Sequence, residues 1–278
     1  MSAYNSEIQN LNRANERVNT VIQLLSEFKN PEIHTYLDIG SGDGSIAVNL
    51  KDSLNIDTAY SSDIITPVKK YSDLIYLTID PETNILNIPD NSINLITAFV
   101  SLHHIKNIKD MINEINRISI KDYTFLIIRE HDCTLYTQPY LDFIHLLEYI
   151  KYNKLDFTDY VGNYYNRLNL KQSLENQGWK YIKSVDYPDN IPNPQRLYSS
   201  LFLFTGIKNA WVDPVVISTR YTLKDDTLFN YIKNIKNYNE YNNYLKVLYK
   251  HKITKNIAIS LLKSTNISEF VGNYNKIF

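Results

Sequence analysis

One run near the start of the chain has the residue types and spacing to hold a ligand: Leu37-Asp38-Ile39-Gly40-Ser41-Gly42-Asp43-Gly44. Glycines placed where a strand gives way to a helix permit a tight turn and let a ligand approach the backbone. The helix N-terminus behind them favours negative charge. The spacing is G-x-G-x-G with an Asp two residues before the first Gly. A dinucleotide site needs G-x-G-x-x-G, and a phosphate loop needs Gly-Lys followed by Ser or Thr; neither is present. A carboxylate at Asp38 suits a ligand with a cationic amine better than one with a pyrophosphate. A second acid, Asp63, follows Gly44 by 19 residues, at the end of the next expected strand. In a doubly wound fold an acid there binds both hydroxyls of a ribose. The plainer readings are a structural turn for the glycines and a strand cap for Asp63; the two together at this spacing favour the ribose.

Further along, Arg129-Glu130-His131-Asp132 puts four ionisable groups directly after an apolar strand. Ligands of open α/β sheets bind at that edge, so Glu130 or His131 is a candidate base or hydrogen-bond partner for a reacting group. The alternative is a solvated turn with one internal ion pair. His104, at the end of the neighbouring strand, is a second candidate, and a capped or core histidine is its plain alternative. His103, His104, His131 and His145 come from different elements and make a poor metal set; no metal is expected. Tyr160, Tyr164 and Tyr165 with Asn163, Asn166 and Arg167 form an aromatic and basic patch, read as a lid whose Tyr164, Tyr165 and Arg167 can contact a substrate. Aromatic faces and a guanidinium can stack a nucleobase. A chain with 23 Tyr would scatter some there in any case.

These residues need a scaffold, and the periodicity supplies one. Residues 4–29 read as an amphipathic helix, with Ile8, Leu11, Val18, Val21, Ile22, Leu25 and Phe28 at three- and four-residue steps. Asn30-Pro31 stops it. Strands are expected at 35–39, 58–62, 74–79, 93–100 and 123–129, with helices at 45–54 and 105–118 between them. That alternation argues for an open, doubly wound α/β sheet. A helix over 135–152, a polar aromatic loop over 153–166 and a short helix over 170–176 follow. Strands at 179–187 and 197–204, joined by a turn with Pro188, Pro192 and Pro194, are expected to close the sheet as an antiparallel hairpin.

The chain has 278 residues, of which 44% are hydrophobic, enough for a full core. Its 29 basic and 30 acidic side chains give a net charge of −1, so no whole-molecule grip on nucleic acid is evident. The charge is segregated, however. Residues 215–278 carry 10 Lys and Arg against 4 Asp and Glu, and the preceding 214 carry 19 against 26. A single cysteine, Cys133, excludes a disulfide framework. No apolar run approaches the ~20 residues of a membrane span, and the first residues lack the features of a secretory signal. A soluble, cytoplasmic protein is expected. Its organisation reads as an N-terminal helix (1–32), a ligand-binding domain (33–214) and a basic helical appendage (215–278).

The sequence resembles the class I S-adenosylmethionine-dependent methyltransferases. The resemblance is carried by Leu37 to Gly44, Ser62-Asp63-Ile64, Leu86-Asn87-Ile88-Pro89-Asp90-Asn91-Ser92-Ile93-Asn94-Leu95-Ile96, and Ser101-Leu102-His103-His104-Ile105. Leu170 to Trp179 adds the helix and Gly-aromatic pair that precede the family's sixth strand. The resemblance covers about residues 34–207 and implies a seven-stranded, mostly parallel sheet with S-adenosylmethionine as cofactor. It implies that Asp38, Gly40, Ser41, Gly42 and Gly44 pack against the methionine half and that Asp63, with Ile64 beside it, takes the ribose. Asp80 to Ile85 would flank the adenine, with Asp80 or Glu82 near its amine. Phe99, Val100 and Ser101 would lie near the methyl group. Asn94 stands where the family usually has Asp, a position expected to be structural.

The acceptor is less constrained. Methyl transfer from a sulfonium needs in-line positioning, and a base only where the acceptor loses a proton. The segment Asn193 to Tyr198, with the Arg-Glu-His-Asp run, resembles methyltransferase segments of large DNA viruses, some linked to mRNA capping. The Tyr-, Asn-, Ile- and Lys-rich composition fits an A/T-rich genome of that kind, which would place the protein in the host cytoplasm. The Lys-Asp-Lys-Glu set of ribose 2′-O-methyltransferases is not visible. RNA is therefore the expected acceptor. The alternatives are a small molecule, or a non-catalytic subunit that uses the basic appendage to dock a protein partner.

Overall fold

In the computed structural model, residues 3–29, 31–132, 164–186 and 197–206 are described. The chain divides into two compact units. One comprises Met1–His131, Tyr165–Tyr187 and Leu197–Val215 and contains every helix and strand among the described residues. The other comprises Asp132–Tyr164, Pro188–Arg196 and Val216–Phe278. The expected helix at 135–152, most of the loop that follows it, the proline-bearing turn and the basic appendage lie outside the described residues.

The first unit is a seven-stranded sheet of β1 (Thr35–Ile39), β2 (Thr58–Asp63), β3 (Ile75–Thr78), β4 (Leu95–Phe99), β5 (Phe125–His131), β6 (Trp179–Asp186) and β7 (Leu197–Phe204). The strand order is β3-β2-β1-β4-β5-β7-β6. β1 to β5 pair in parallel, and β7 runs antiparallel to both β5 and β6. β1 is interior, flanked by β2 and β4, as the sequence requires of the strand that carries the glycine loop. The chain reverses direction across the sheet between β1 and β4, and the crevice at such a point is where doubly wound sheets bind ligands.

Helices cover both faces. α1 (Ala3–Leu25) and α2 (Ser45–Leu54) pack on one, where Val18, Val21, Leu24 and Leu50 meet Tyr36, Leu95, Phe125 and Ile127. α3 (Ile108–Ile118) and α4 (Arg167–Asn176) cover the other, where Met111, Ile115 and Leu174 meet Leu37, Ile96 and Leu126. β4 is buried at all five positions, as a strand covered on both faces must be. Among the described residues no helix is long and apolar enough to cross a membrane.

Several boundaries differ from the periodicity. α1 ends at Leu25, four residues early, because Phe28 N–H bonds the Leu25 carbonyl and tightens the last turn. α3 starts at Ile108 because Asn107 caps it, accepting from Asp110 N–H; a single 3₁₀ turn, Leu102–His104, precedes it. α4 starts three residues early, capped by the Asn166 side chain on Leu168 N–H. β5 runs on to His131 because its pairing with β7 extends from Phe125↔Leu203 to His131↔Leu197. Arg129, Glu130 and His131 are therefore strand residues, not a solvated turn.

Two side chains fix the approach to the site. Asn94 Oδ1 accepts from His34 and Thr35 N–H, and its Nδ2 donates to the Glu32 carbonyl. That last bond needs a donor, which an Asp there lacks. Arg117 donates to the Leu86 and Ile88 carbonyls and pairs with Glu114 and Asp90, clipping the segment 86–90 to α3.

Candidate active site

The glycine loop is held by β2 and the loop after β4 as well as by its own bond from Gly44 N–H to the Ser41 carbonyl. Gly40 and Ser41 N–H both donate to the Ser62 carbonyl, and Ser62 Oγ donates back to the Asp38 carbonyl. Gly40 has φ +68°, and a Cβ there would collide with Ser101. The loop after β4 thus packs directly on the loop after β1, and Ser101 Oγ seals the contact by donating to the Ile39 carbonyl at 2.8 Å. Gly42, φ +59°, faces open space, and its N–H donates to Asp63 Oδ2 at 2.8 Å. Ser41 is buried on Ser61, Oγ to Oγ. Gly44 opens α2, with Asp43 capping Ser45 N–H.

Asp38 is 1% exposed. Its Oδ1 accepts from Thr97 Oγ1 at 2.6 Å, and its Oδ2 has no hydrogen-bond partner among the described residues. Burial pushes its carboxyl up to about 7 against the opposing pull of Thr97 and of the Arg17 cation, with Asp63 and Asp43 adding to the rise. Asp63, half-buried at the end of β2, anchors Gly42 through one oxygen. A carboxylate offers about four acceptor positions, so capacity remains for a ligand. Ile64 and Ile85 are large apolar side chains left 59% and 62% exposed at the loops after β2 and β3.

Asp80 holds its own turn: Oδ1 accepts from Glu82 N–H and Oδ2 from Thr83 Oγ1, which hold its carboxyl below the usual carboxylate range. Glu82 is exposed and pairs with Lys106 at 2.9 Å. Phe99 is buried on the α1 face, with the Arg17 guanidinium carbon 5.7 Å from its ring centre. Val100 has φ +55° and turns the chain out of β4.

The acceptor-side candidates fall into two groups. Glu130 is 2% exposed, and both its oxygens are engaged. Oε1 accepts from Ser101 and Leu102 N–H at 3.0 and 2.8 Å, and Oε2 meets His103 Nδ1 at 2.8 Å. Burial alone would raise the Glu130 carboxyl, but His103, with His131 and the Leu102 amide, holds it below its ordinary value. His103 is fully buried, with the exposed His104 ring at 4.0 Å and the half-buried His131 ring at 5.7 Å. Tyr165 packs on the core beside this cluster, its phenol raised by burial and then by the Glu130 charge. Arg167 opens α4, pairs with Asp186 and lies 4.7 Å from the centre of the Tyr198 ring, an anchor between helix and sheet. Tyr164 belongs to the other unit.

Three residues of this region escaped the sequence. His103 was one of a run of histidines without a role. Thr97 could have been found as the polar residue inside an otherwise apolar strand. Arg17 lies on the buried stripe of α1 between Ala14 and Val21, a cation where the helical pattern asks for an apolar side chain.

The methyltransferase-domain family model matches residues 10–184, and the chain belongs to that family. Solved structures similar to it include one assigned as a sarcosine dimethylglycine methyltransferase from Galdieria sulphuraria. It is 12% identical over 70% of this chain and 86% of that one, with a TM-score of 0.50. An S-adenosylmethionine-dependent methyltransferase from Aquifex aeolicus is 16% identical over 66% and 88%, with a TM-score of 0.45. Magnesium protoporphyrin IX methyltransferase from Synechocystis, solved with S-adenosylhomocysteine, is 14% identical over 71% and 84%, with a TM-score of 0.44. Comparison with curated protein sequences finds no significant match. The protein is an S-adenosylmethionine-dependent methyltransferase of class I.

Proposed function

We propose that the cofactor lies across the ends of β1, β2 and β4 and that the acceptor is RNA. The observation that carries the cofactor placement is a pair of acids at the ends of adjacent strands. Asp38 has a buried oxygen without a partner, and Asp63 already braces the loop between them. An unpartnered buried carboxylate oxygen is costly, and a ligand's ammonium relieves that cost. Asp63 has acceptor capacity for two ribose hydroxyls, and Ile64 and Ile85 offer apolar surface to a flat adenine. Asp80 and Glu82 both remain proposed for its amine: Asp80 holds its own turn, and both oxygens of Glu82 meet Lys106. When bound, the cofactor supplies a methyl group on a sulfonium, an electrophile that needs a nucleophile in line with it.

The chain's own contribution is to position. Glu130 holds the Ser101 and Leu102 amides, and so the loop that follows β4, in place against Gly40. With both its oxygens engaged it serves as a positioning residue. His104 and His131, nearest to solvent in the cluster, are the candidates to take a proton from an acceptor that must lose one. The case for RNA rests on the charge segregation of the sequence: the basic appendage at 215–278 would act as a phosphate clamp.

The test is incubation of the full chain with radiolabelled S-adenosylmethionine and capped RNA, uncapped RNA and a small-molecule extract. Label in RNA supports the reading, with capped over uncapped RNA identifying a cap acceptor. Label confined to small molecules removes RNA. Cofactor binding with no label in any fraction favours a non-catalytic subunit. The cofactor placement is checked separately: Asp63→Ala should cost about 2–3 kcal/mol of binding by losing two hydrogen bonds to a charged acceptor. Unchanged affinity in calorimetry would take Asp63 out of the site.

A further inference from the structure

One buried amide joins the loop after β3 to the turn that carries His104. That loop starts on Asp63, whose carbonyl accepts Ile79 N–H at 2.9 Å. Asp80 then closes a turn, taking Glu82 N–H and Thr83 Oγ1 on its carboxylate and Asn84 N–H on its carbonyl. The turn ends at Asn84 with φ +57°, a left-handed conformation that asparagine tolerates better than most residues. Asn84 is 2% exposed, and its Nδ2 donates to the Asn107 carbonyl at 3.1 Å.

Asn107 stands at a junction. Its side chain caps α3, and its carbonyl also accepts Met111 N–H in the first turn of that helix. Just ahead of it lies the 3₁₀ turn Leu102–His104. The start of that turn is fixed from β5 and β1: Glu130 takes the Ser101 and Leu102 amides, and Ser101 Oγ bonds the Ile39 carbonyl. Its end runs into residues 105–107, which meet the loop after β3 twice. One tie is Lys106 on both oxygens of Glu82, at 2.9 and 3.1 Å. Those side chains are 62% and 69% exposed, and an exposed pair constrains little. The other tie is Asn84, which is buried. Further on, Glu114 accepts Leu86 N–H, and Arg117 donates to the Leu86 and Ile88 carbonyls. Those bonds fasten the segment to the body of α3, not to the turn ahead of it.

A contiguous route therefore runs from the Asp63 carbonyl, through the Asp80 turn and the Asn84 amide, to the residues that follow His104. Its first half flanks the place proposed for the adenine. We propose that Asn84 is a positioning residue that passes occupancy of the cofactor site to the 3₁₀ turn, so that His104 is set when the methyl donor is in place. This inference rests on the cofactor placement proposed above. It gives the loop after β3 a second task besides holding the ligand.

Hydrogen exchange on the full chain, free and saturated with S-adenosylhomocysteine, tests it, with affinity followed by calorimetry. Exchange over residues 102–107 should slow by about tenfold on binding, an ordinary size for coupling between two sites. Asn84→Gly and Asn84→Asp both tolerate the left-handed backbone and lose the donor. Each should cut the slowing to under about twofold while affinity stays within about threefold. Lys106→Met should keep the slowing. A merely structural Asn84 would speed exchange in the free and bound variants alike and leave the slowing intact. That result overturns the assignment, as does an equal loss in Lys106→Met, or no slowing in unmodified protein that binds the ligand. If the unmodified protein does not bind S-adenosylhomocysteine, the cofactor placement itself fails, and the assignment with it.

Discussion

Asp38 and Glu130 are both carboxylates buried at the C-terminal end of a central strand, and they face opposite sides of the sheet. Glu130 has both oxygens engaged, by two backbone amides and one imidazole. Asp38 has one oxygen bonded and one bare. The acidities follow, with Glu130 held below its ordinary value by His103 despite burial, and Asp38 pushed up to about 7 by burial. Burial alone therefore does not mark a ligand site. A carboxylate whose partners all come from its own chain holds the fold together, and one left short of a partner is shaped for something else.

The largest effect expected from this contrast is on the acid with both oxygens engaged. Glu130→Ala would leave His103 and two amides buried without their acceptor, and should cost about 3–5 kcal/mol of stability in chemical denaturation. A loss under about 1 kcal/mol would mean that the β4 loop holds its shape without Glu130. The bare acid should behave the other way. Asp38→Asn keeps an acceptor for Thr97 and removes a poorly compensated charge. Stability at pH 8 should hold or rise by about 1 kcal/mol, while binding of S-adenosylhomocysteine weakens by about 2–3 kcal/mol. A variant as destabilised as Glu130→Ala would erase the distinction between the two acids.

The smallest effect is on pH dependence, and its sign differs between the two. The folded-state pKa of Asp38 is raised, so between about pH 4 and 7 the folded protein keeps a proton that the unfolded chain has lost. This group's contribution to stability therefore falls as pH rises through that window and levels off above it. Glu130, with its pKa lowered, contributes stability above the ordinary carboxylate range and loses it as acid protonates the folded form. Cofactor affinity should climb from pH 5.5 to 7 as Asp38 ionises, with burial, and after it Thr97, Arg17, Asp63 and Asp43, setting the midpoint. Asp38→Asn should flatten that climb; a climb of equal size in the variant would assign it to another group.

How legible these features were in the sequence depended on how local their causes are. Strand and helix positions followed from periodicity and short motifs, and β1 is interior as the glycine loop demanded. The ends moved where a long-range partner decided them, as β7 did for the last residues of β5. Asp38 and Asp63 were visible because their spacing to glycines is a local pattern. The engagement of Glu130 was not, since its donors lie 27 to 29 residues away in the chain. Arg17 was hidden inside an amphipathic stripe that reads as core packing until the sheet beneath it is known.

The place of β7 has a consequence for synthesis. β5 has an apolar core, Phe125 to Ile128, and its second neighbour is the last strand of the sheet. At about 5–20 residues per second, the ribosome needs on the order of seconds to travel from His131 to Leu197. Throughout that interval a central strand presents a row of unpaired amides and carbonyls, the surface to which foreign strands add. A nascent chain truncated between residues 132 and 196 carries that open edge permanently, so such incomplete translation products are expected to aggregate although at least five of the seven strands are already made.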